Sequence, residues 1–219
     1  MQRKSVHPGR GLFITVEGPE GAGKSSQLRL LAEYLESRGL PCRCTREPGG
    51  TPLAETIRAV VKNHTGAEEM RPETELLLIE AARVQHVYGV IAPALAAGQT
   101  VLCDRFTDST SAYQGGGRGV PFEAVEALNS FARAGCVPDL TLLLDLDPAD
   151  GFKRASDRPE TRGKYDRFEA EKLEFHRRVR AAFLAIARAE PERVRIVDAS
   201  GTIRQVQSEI RKIVDEFIG

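Results

Sequence analysis

The sequence predicts an α/β fold. We expect a phosphate-loop NTPase-type, three-layer architecture: a five-stranded parallel sheet, helices on both faces, and a mobile basic lid. Three observations carry this. Gly18-Pro19-Glu20-Gly21-Ala22-Gly23-Lys24-Ser25 fits the G-x-x-x-x-G-K-[ST] phosphate-binding pattern. Short apolar runs alternate with helical patterns five times along the chain. Each run is nearly continuous in apolar residues, as in strands covered on both faces.

The elements follow in order. Leu12 to Val16 is apolar and β-rich and reads as a buried strand. After the glycine loop, Leu28, Leu31, Ala32 and Leu35 recur at helical spacing, and Gly39 stops the helix. Pro41 to Thr45 is a second strand, followed by a Gly/Pro-rich loop over 46–51. Pro52 to Lys62 reads as a helix with proline in its first turn, and 63–71 as a polar connection. A long helical stretch runs from Pro72 to about Ala97, where Pro93 either starts a second segment or kinks the first. Thr100 to Asp104 is the third strand. The next ten residues are helical in part, and the glycine-rich run 115–119 is expected to break them as a loop. Pro121 to Ala134 is a helix and Leu140 to Leu144 the fourth strand. A helix over 149–156 is interrupted by the charged segment 157–166, and a long amphipathic helix follows from Arg167 to Ala189. Val194 to Val197 is the fifth strand and Thr202 to Phe217 the closing helix. No linker divides the chain, so residues 11–219 are expected to form one domain, with a lid at about 154–167 and a polar tail at 1–10.

Composition narrows the function classes. The formal net charge is zero, which gives no reason to expect nucleic acid as a partner. No apolar run is long enough for a membrane span, and the basic first ten residues lack the apolar core of a secretory signal, so a cytoplasmic location is expected. The four cysteines have no paired C-x-x-C spacing or histidine companions and read as reduced thiols.

The glycine loop brings its own chemistry. Glycines let the backbone turn so that N–H groups point at phosphate oxygens, at the positive end of the following helix. Lys24 would bridge the β- and γ-phosphates of a nucleoside triphosphate, and the Ser25 hydroxyl would hold Mg²⁺. Asp104 ends a buried strand, where phosphate-loop proteins keep the acid that holds the metal. Asp145 and Asp147 end the fourth strand and compete for that role; Asp104 is favoured because Arg105 follows it. The loop itself carries no arginine. A transferring phosphoryl group would therefore take its arginine from the basic segment of Arg154, Arg158, Arg162, Lys164 and Arg167. On composition alone, that segment reads equally well as a solvated charged loop. Arg46, Arg83 and Arg105 sit on the presumed acceptor side, where a phosphate needs fork-like donors.

Together these stretches resemble the thymidylate kinase family in its bacterial form. The resemblance rests on Val16 through Ser25, Thr45 through Thr51, Ala81-Ala82-Arg83, Asp104-Arg105-Phe106, Ser109 through Gly119, Arg162-Gly163 and Asp166 through Glu169. It implies transfer of the γ-phosphoryl group of ATP to dTMP with Mg²⁺, usually by a homodimer. It implies ATP contacts along Gly18 to Ser25, at Ser26 and at Arg154, with Lys24, Asp104, Arg105 and Arg162 as the catalytic set. It places Glu20 near the acceptor's 3′-hydroxyl, Arg46 and Arg83 at its phosphate and base, and Thr110 and Gln114 near the thymine. Tyr113 would crowd the 2′ position and favour deoxyribose. Ser25 and Asp104 would hold the metal. The family commonly has Phe where this chain has Ile79, four residues before Arg83, so stacking on the base must be weaker or come from elsewhere, such as Phe106.

Two other readings stand beside this one. A kinase for dUMP or UMP differs by a methyl-sized pocket, worth only about 1–3 kcal/mol. A non-catalytic nucleotide-binding regulator would keep the glycine loop, but the Asp104-Arg105 pair and the basic lid argue for transfer. A GTP-dependent switch lacks its guanine reader, and the loop 198–201 is where the adenine would sit.

Overall fold

The computed structural model describes residues 10–64, 66–156 and 166–219. The expected tail before Arg10 and the heart of the expected lid, including Arg158, Arg162 and Lys164, lie outside the described residues. Five strands, β1 (Phe13–Glu17), β2 (Cys42–Arg46), β3 (Thr100–Asp104), β4 (Leu140–Asp145) and β5 (Val194–Asp198), form one parallel sheet in the order β2-β3-β1-β4-β5. Its helices are α1 (Lys24–Ser37), α2 (Pro52–Asn63), α3 (Pro72–His86), α4 (Ala92–Ala96), α5 (Thr107–Thr110), α6 (Phe122–Arg133), α7 (Pro148–Ser156), α8 (Leu173–Ala189) and α9 (Ile203–Ile218).

Alternation along β1 explains the layers. Ile14 and Val16 point to a core shared with Leu31 and Leu35 of α1 and Ile210 and Val214 of α9. Phe13 points the other way, into a cluster with Val101, Cys103 and Phe106 and with Val87, Ile91 and Leu95. A third cluster sets Leu143 against Phe175, Val179 and Phe183 of α8 and against Tyr113. On that face Thr15 and Thr141, both fully buried, satisfy each other through a 2.7 Å hydroxyl bond. Because β1 lies between β3 and β4, the chain reverses direction of travel across the sheet at its carboxyl end, the place where open α/β sheets bind ligands.

The stretch from Pro72 is helical to Ala96, with Pro93 in the first turn of a second segment as expected; the added feature is the π-helical turn, Val87–Ile91, through which α3 passes into α4. Pro93 has no N–H to donate, and the wider turn just before it accommodates that gap. The glycine run is not a loop, since Ser111–Gly117 is itself a π-helical turn. Its glycines serve close packing: a Cβ on Gly116 would lie 2.5 Å from the Ala182 Cβ, and one on Gly117 2.5 Å from the Phe175 ring. The helix expected from Arg167 starts only at Leu173. The Asp166 carboxylate accepts from the Phe168 and Glu169 N–H groups at 2.8 and 3.0 Å, and this holds residues 167–170 in a turn before α8.

Candidate active site

The loop after β1 is shaped by backbone contact. Gly18 has φ 135°, and a Cβ there would lie 2.3 Å from the Leu144 carbonyl oxygen. Gly21 has φ 77°, and a Cβ would lie 2.4 Å from the Gly151 carbonyl oxygen at α7. Only glycine fits at either position. Lys24, buried in the first turn of α1, donates to the Gly18 and Pro19 carbonyls at 3.0 and 2.7 Å. Burial and the charge of Arg105 pull its pKa down to about 8, against the pull of Glu20 and Asp104. The Ser25 hydroxyl donates to Asp104 Oδ2 at 2.6 Å. Asp145, the rival acid, is held in a two-pronged ion pair by Arg180 at 2.7 and 2.9 Å, and Asp147 is bound by the same guanidinium.

Arg105 occupies the left-handed region, with φ 71°. Such a conformation costs about 1–3 kcal/mol in a non-glycine residue and persists only where its surroundings hold it. Here its guanidinium donates to Gly18 O at 3.2 Å, Ser109 Oγ at 3.1 Å, Glu20 Oε1 at 2.6 Å and the Tyr113 hydroxyl at 3.2 Å. It also lies 4.9 Å from the Tyr113 ring centre. Burial would raise the Glu20 carboxyl, but Arg105 and Lys24 outweigh it and hold the pKa at about 2. Beneath the arginine, the fully buried Glu17 accepts from the Phe106 N–H at 2.7 Å and the Ser109 hydroxyl at 2.5 Å. Burial, with Asp108 nearby, pushes Glu17 up to about 7.

A cavity of about 440 Å³ lies against these groups. Glu20, Gly21, Gly23, Lys24, Ser25 and Ser26 line it from the glycine loop and the start of α1; Ile79, Arg83, Phe106, Thr110, Tyr113 and Gln114 line it from α3, α5 and their neighbours, and Arg46 and Arg58 line it as well. Asp104 and Arg105 link the two sets, through the Ser25–Asp104, Arg105–Glu20 and Arg105–Tyr113 contacts. Arg83 is 1% exposed. It donates to Glu47 at 2.8 Å, Glu80 at 2.6 Å, Asn129 at 2.7 Å and Thr110 Oγ1 at 2.8 Å, which occupies four of its five N–H groups. Its guanidinium carbon is 5.2 Å from the Phe106 ring centre. Phe106 packs edge-on to Phe13 at 5.0 Å, so it is largely a core residue with part of its surface on the cavity.

A family model described as thymidylate kinase matches residues 16–210. The chain belongs to the thymidylate kinase family. It is 54% identical over 208 residues to a thymidylate kinase of Pseudomonas fluorescens strain SBW25, covering 95% of this chain and 97% of that one. It is 50% identical over 204 residues to one from a Synechococcus strain, covering 93% and 94%. The crystal structure of thymidylate kinase from Ehrlichia chaffeensis superposes with a TM-score of 0.76 at 33% identity, covering 93% of this chain and 98% of that one.

Within this family member, most of the residues singled out in the sequence converge on the one cavity. Gly18, Pro19 and Ala22 do not line it; Gly18 and Pro19 support Lys24 from behind and Ala22 packs in the core. Arg154 does not line it either, and donates instead to the Ala199 and Ser200 carbonyls at 2.8 Å each, tying α7 to the loop after β5. Arg46 reaches the cavity while paired with Glu55 at 2.9 Å. The sequence offered no role for Glu47 and Ser109, which line the cavity, or for Glu17, Glu75 and Glu80, buried groups that hold lining residues. One signal was available. Glu75, Ile79, Ala82, Arg83 and His86 recur at helical spacing, and three charged or polar side chains on an otherwise inward helix face call for buried partners.

Proposed function

We infer that this protein is a dTMP kinase, transferring the γ-phosphoryl group of ATP to dTMP to give dTDP and ADP in dTTP synthesis. One observation supports this reading above the others: a single cavity is lined by the phosphate-loop Lys24 and Ser25 and by Ile79, Arg83, Thr110, Tyr113 and Gln114, with the Asp104-Arg105 pair in contact with both sets. In our reading ATP lies with its phosphates along the loop, and Lys24 leaves its carbonyl partners to bind the β- and γ-phosphates. Arg105 binds the acceptor phosphate. Glu20 receives the 3′-hydroxyl, and Tyr113 packs where a 2′-hydroxyl would project. Thr110, Gln114 and Arg83 face the base. Arg46 supplements charge at the acceptor phosphate, and Arg162 is assigned to the transferring group.

The attacking oxygen belongs to a phosphate and is already anionic, so no strong general base is needed. The protein contributes alignment and charge neutralisation. Ser25 and Asp104, a hydroxyl and a carboxylate 2.6 Å apart at a helix N-terminus, are the hard oxygen donors that suit Mg²⁺, which would neutralise charge shared between the phosphates.

We further propose a homodimer working in the cytoplasm. Leu53 and Val60 of α2, Leu77 of α3 and Phe122 and Phe131 of α6 are exposed, which supports a covered apolar face. Among the described residues no helix is long and apolar enough to cross a membrane.

The test is an ADP-release assay with ATP and Mg²⁺, supplying dTMP, dUMP, UMP, dCMP and AMP in turn. Turnover fastest with dTMP is expected. Equal rates with dUMP would mean a pocket blind to the methyl group, and turnover with no acceptor dependence would overturn the kinase reading.

A further inference from the structure

Glu75 of α3 is 1% exposed and does not line the cavity, yet it touches a residue that does. Its Oε1 accepts from Gln114 Nε2 at 3.0 Å and from Arg118 Nε at 3.1 Å. Its Oε2 accepts from Arg118 Nη2 at 3.2 Å and lies 3.1 Å from Arg167 Nη1. All four contacts are to donors, and three of them come from the guanidinium groups of Arg118 and Arg167.

This fixes something that carbon positions alone leave open. The two ends of a glutamine amide are nearly the same shape, and the hydrogen-bond network decides which is which. Turned the other way, Gln114 would set its carbonyl oxygen against a carboxylate oxygen, two acceptors with no hydrogen between them. Nε2 must therefore face Glu75, and Gln114, which lines the cavity, is left to offer its carbonyl oxygen there.

We propose that Glu75 is a positioning residue that sets base specificity: by holding the Gln114 amide in one orientation, it makes the pocket present an acceptor and so select a pyrimidine with an N–H at ring position 3. Thymine and uracil carry that hydrogen, whereas cytosine has a lone pair there. A site built around one hydrogen bond rejects an analogue lacking the partner far more strongly than a shape difference does. The inference deepens the dTMP kinase reading and rests on it.

The test is E75Q in the ADP-release assay, with kcat and KM for dTMP and dCMP measured beside the wild type. With an amide at position 75, the Gln114 amide can turn either way. The expected result is a selectivity for dTMP over dCMP reduced by at least about tenfold, expressed as a raised KM for dTMP with kcat and the KM for ATP little changed. A purely structural role would lower kcat for both acceptors together and leave their ratio alone, and that outcome would overturn the proposal. Should E75Q fail to fold because Arg118 keeps only Glu171 as a carboxylate partner, E75Q/R118Q removes the excess charge and should show the same loss of selectivity; unchanged selectivity there would also overturn it. Failure of the wild type to use dTMP would instead refute the kinase reading, so the two failures are distinguishable.

Discussion

The two ends of the cavity are built on opposite plans. At the glycine-loop end the chemistry is local: eight consecutive residues set the backbone, and the cation is parked on carbonyls of its own loop, with Lys24 on Gly18 and Pro19. At the base end the polar side chains are already bound to one another. Arg83 from α3, Glu47 from the loop after β2, Thr110 from α5 and Asn129 from α6 form one buried cluster. A triphosphate brings its own charge, so the loop can hold its lysine on its own carbonyls until the phosphates arrive. A neutral base brings none, so the groups that read it must be held in place beforehand. The first end should therefore answer to substitution in rate, the second in stability.

Arg83→Met gives the largest expected effect. It leaves Glu47 and Glu80 buried without their cation, and removing one partner of a buried ion pair costs about 3–5 kcal/mol. Glu80, already raised chiefly by its burial, would relieve part of this by taking a proton. Urea unfolding should show a lower midpoint with little change in slope. A loss below about 1 kcal/mol would mean that the base end is not held by this cluster.

Lys24→Met should behave in the opposite way. Losing one preorganised donor to a transferring group costs about 10²–10³ in kcat. Stability should hold or rise, because Lys24 sits where burial and Arg105 disfavour its charge. The comparison fails if this variant unfolds as readily as Arg83→Met.

The same contrast decides what the sequence could reveal. The loop end was legible because its constraints are consecutive: glycines, lysine and serine at fixed spacing, between a strand and a helix. Asp104-Arg105 was legible from its place at a strand end. The five strands fell within a residue or so of their positions: β1, β3 and β4 are buried and written as plain apolar runs, while the edge strands β2 and β5 are half-exposed, carry charged residues and were bounded by the turns around them. The base end was legible only in its lining. Thr110 and Gln114 could be named, but Glu47, Glu75 and Glu80 could not be given roles, because an acid's partner on another element leaves no local trace. Glu75 and Gln114 are 39 positions apart, and Arg83 and Asn129 46. The glycine run 115–117 misled for a related reason: glycine serves both chain reversal and close helix packing, and only the presence of α8 against it tells which.

A smaller effect separates the ends by pH. The Lys24 pKa of about 8 lies below the ordinary lysine value, so the amine of the free protein loses its proton as pH rises through 8. ATP binds the protonated form. The KM for ATP should thus be flat below pH 7 and rise above pH 8, approaching about tenfold per pH unit, with proton uptake on binding. The KM for dTMP should stay flat above pH 8, since arginines dominate its side of the cavity and Glu17, with its pKa of about 7, is already ionised there. A parallel rise in both would show that the two ends titrate together.

The smallest expected effect concerns Ile79, which lines the base end and is 8% exposed. An aliphatic side chain there gives the base dispersion contact without the directional attraction of ring on ring. Phe106 offers a ring nearby, but it is committed to Phe13 on one side and to the Arg83 guanidinium on the other, and so has little freedom to turn onto a ligand. Ile79→Phe supplies a ring at no cost to the buried polar cluster. Aromatic pairing is worth about 0.5–1.5 kcal/mol beyond area burial, so the KM for dTMP should fall by about two- to tenfold with kcat and the KM for ATP unchanged. The effect should be alike for dTMP and dUMP, because stacking reads the face of the base, whereas the Gln114 amide reads its edge. A variant that changed the dTMP-to-dCMP ratio as strongly as E75Q would show that face and edge are not read by separate groups, and that the base end is one adaptable surface rather than a set of fixed parts.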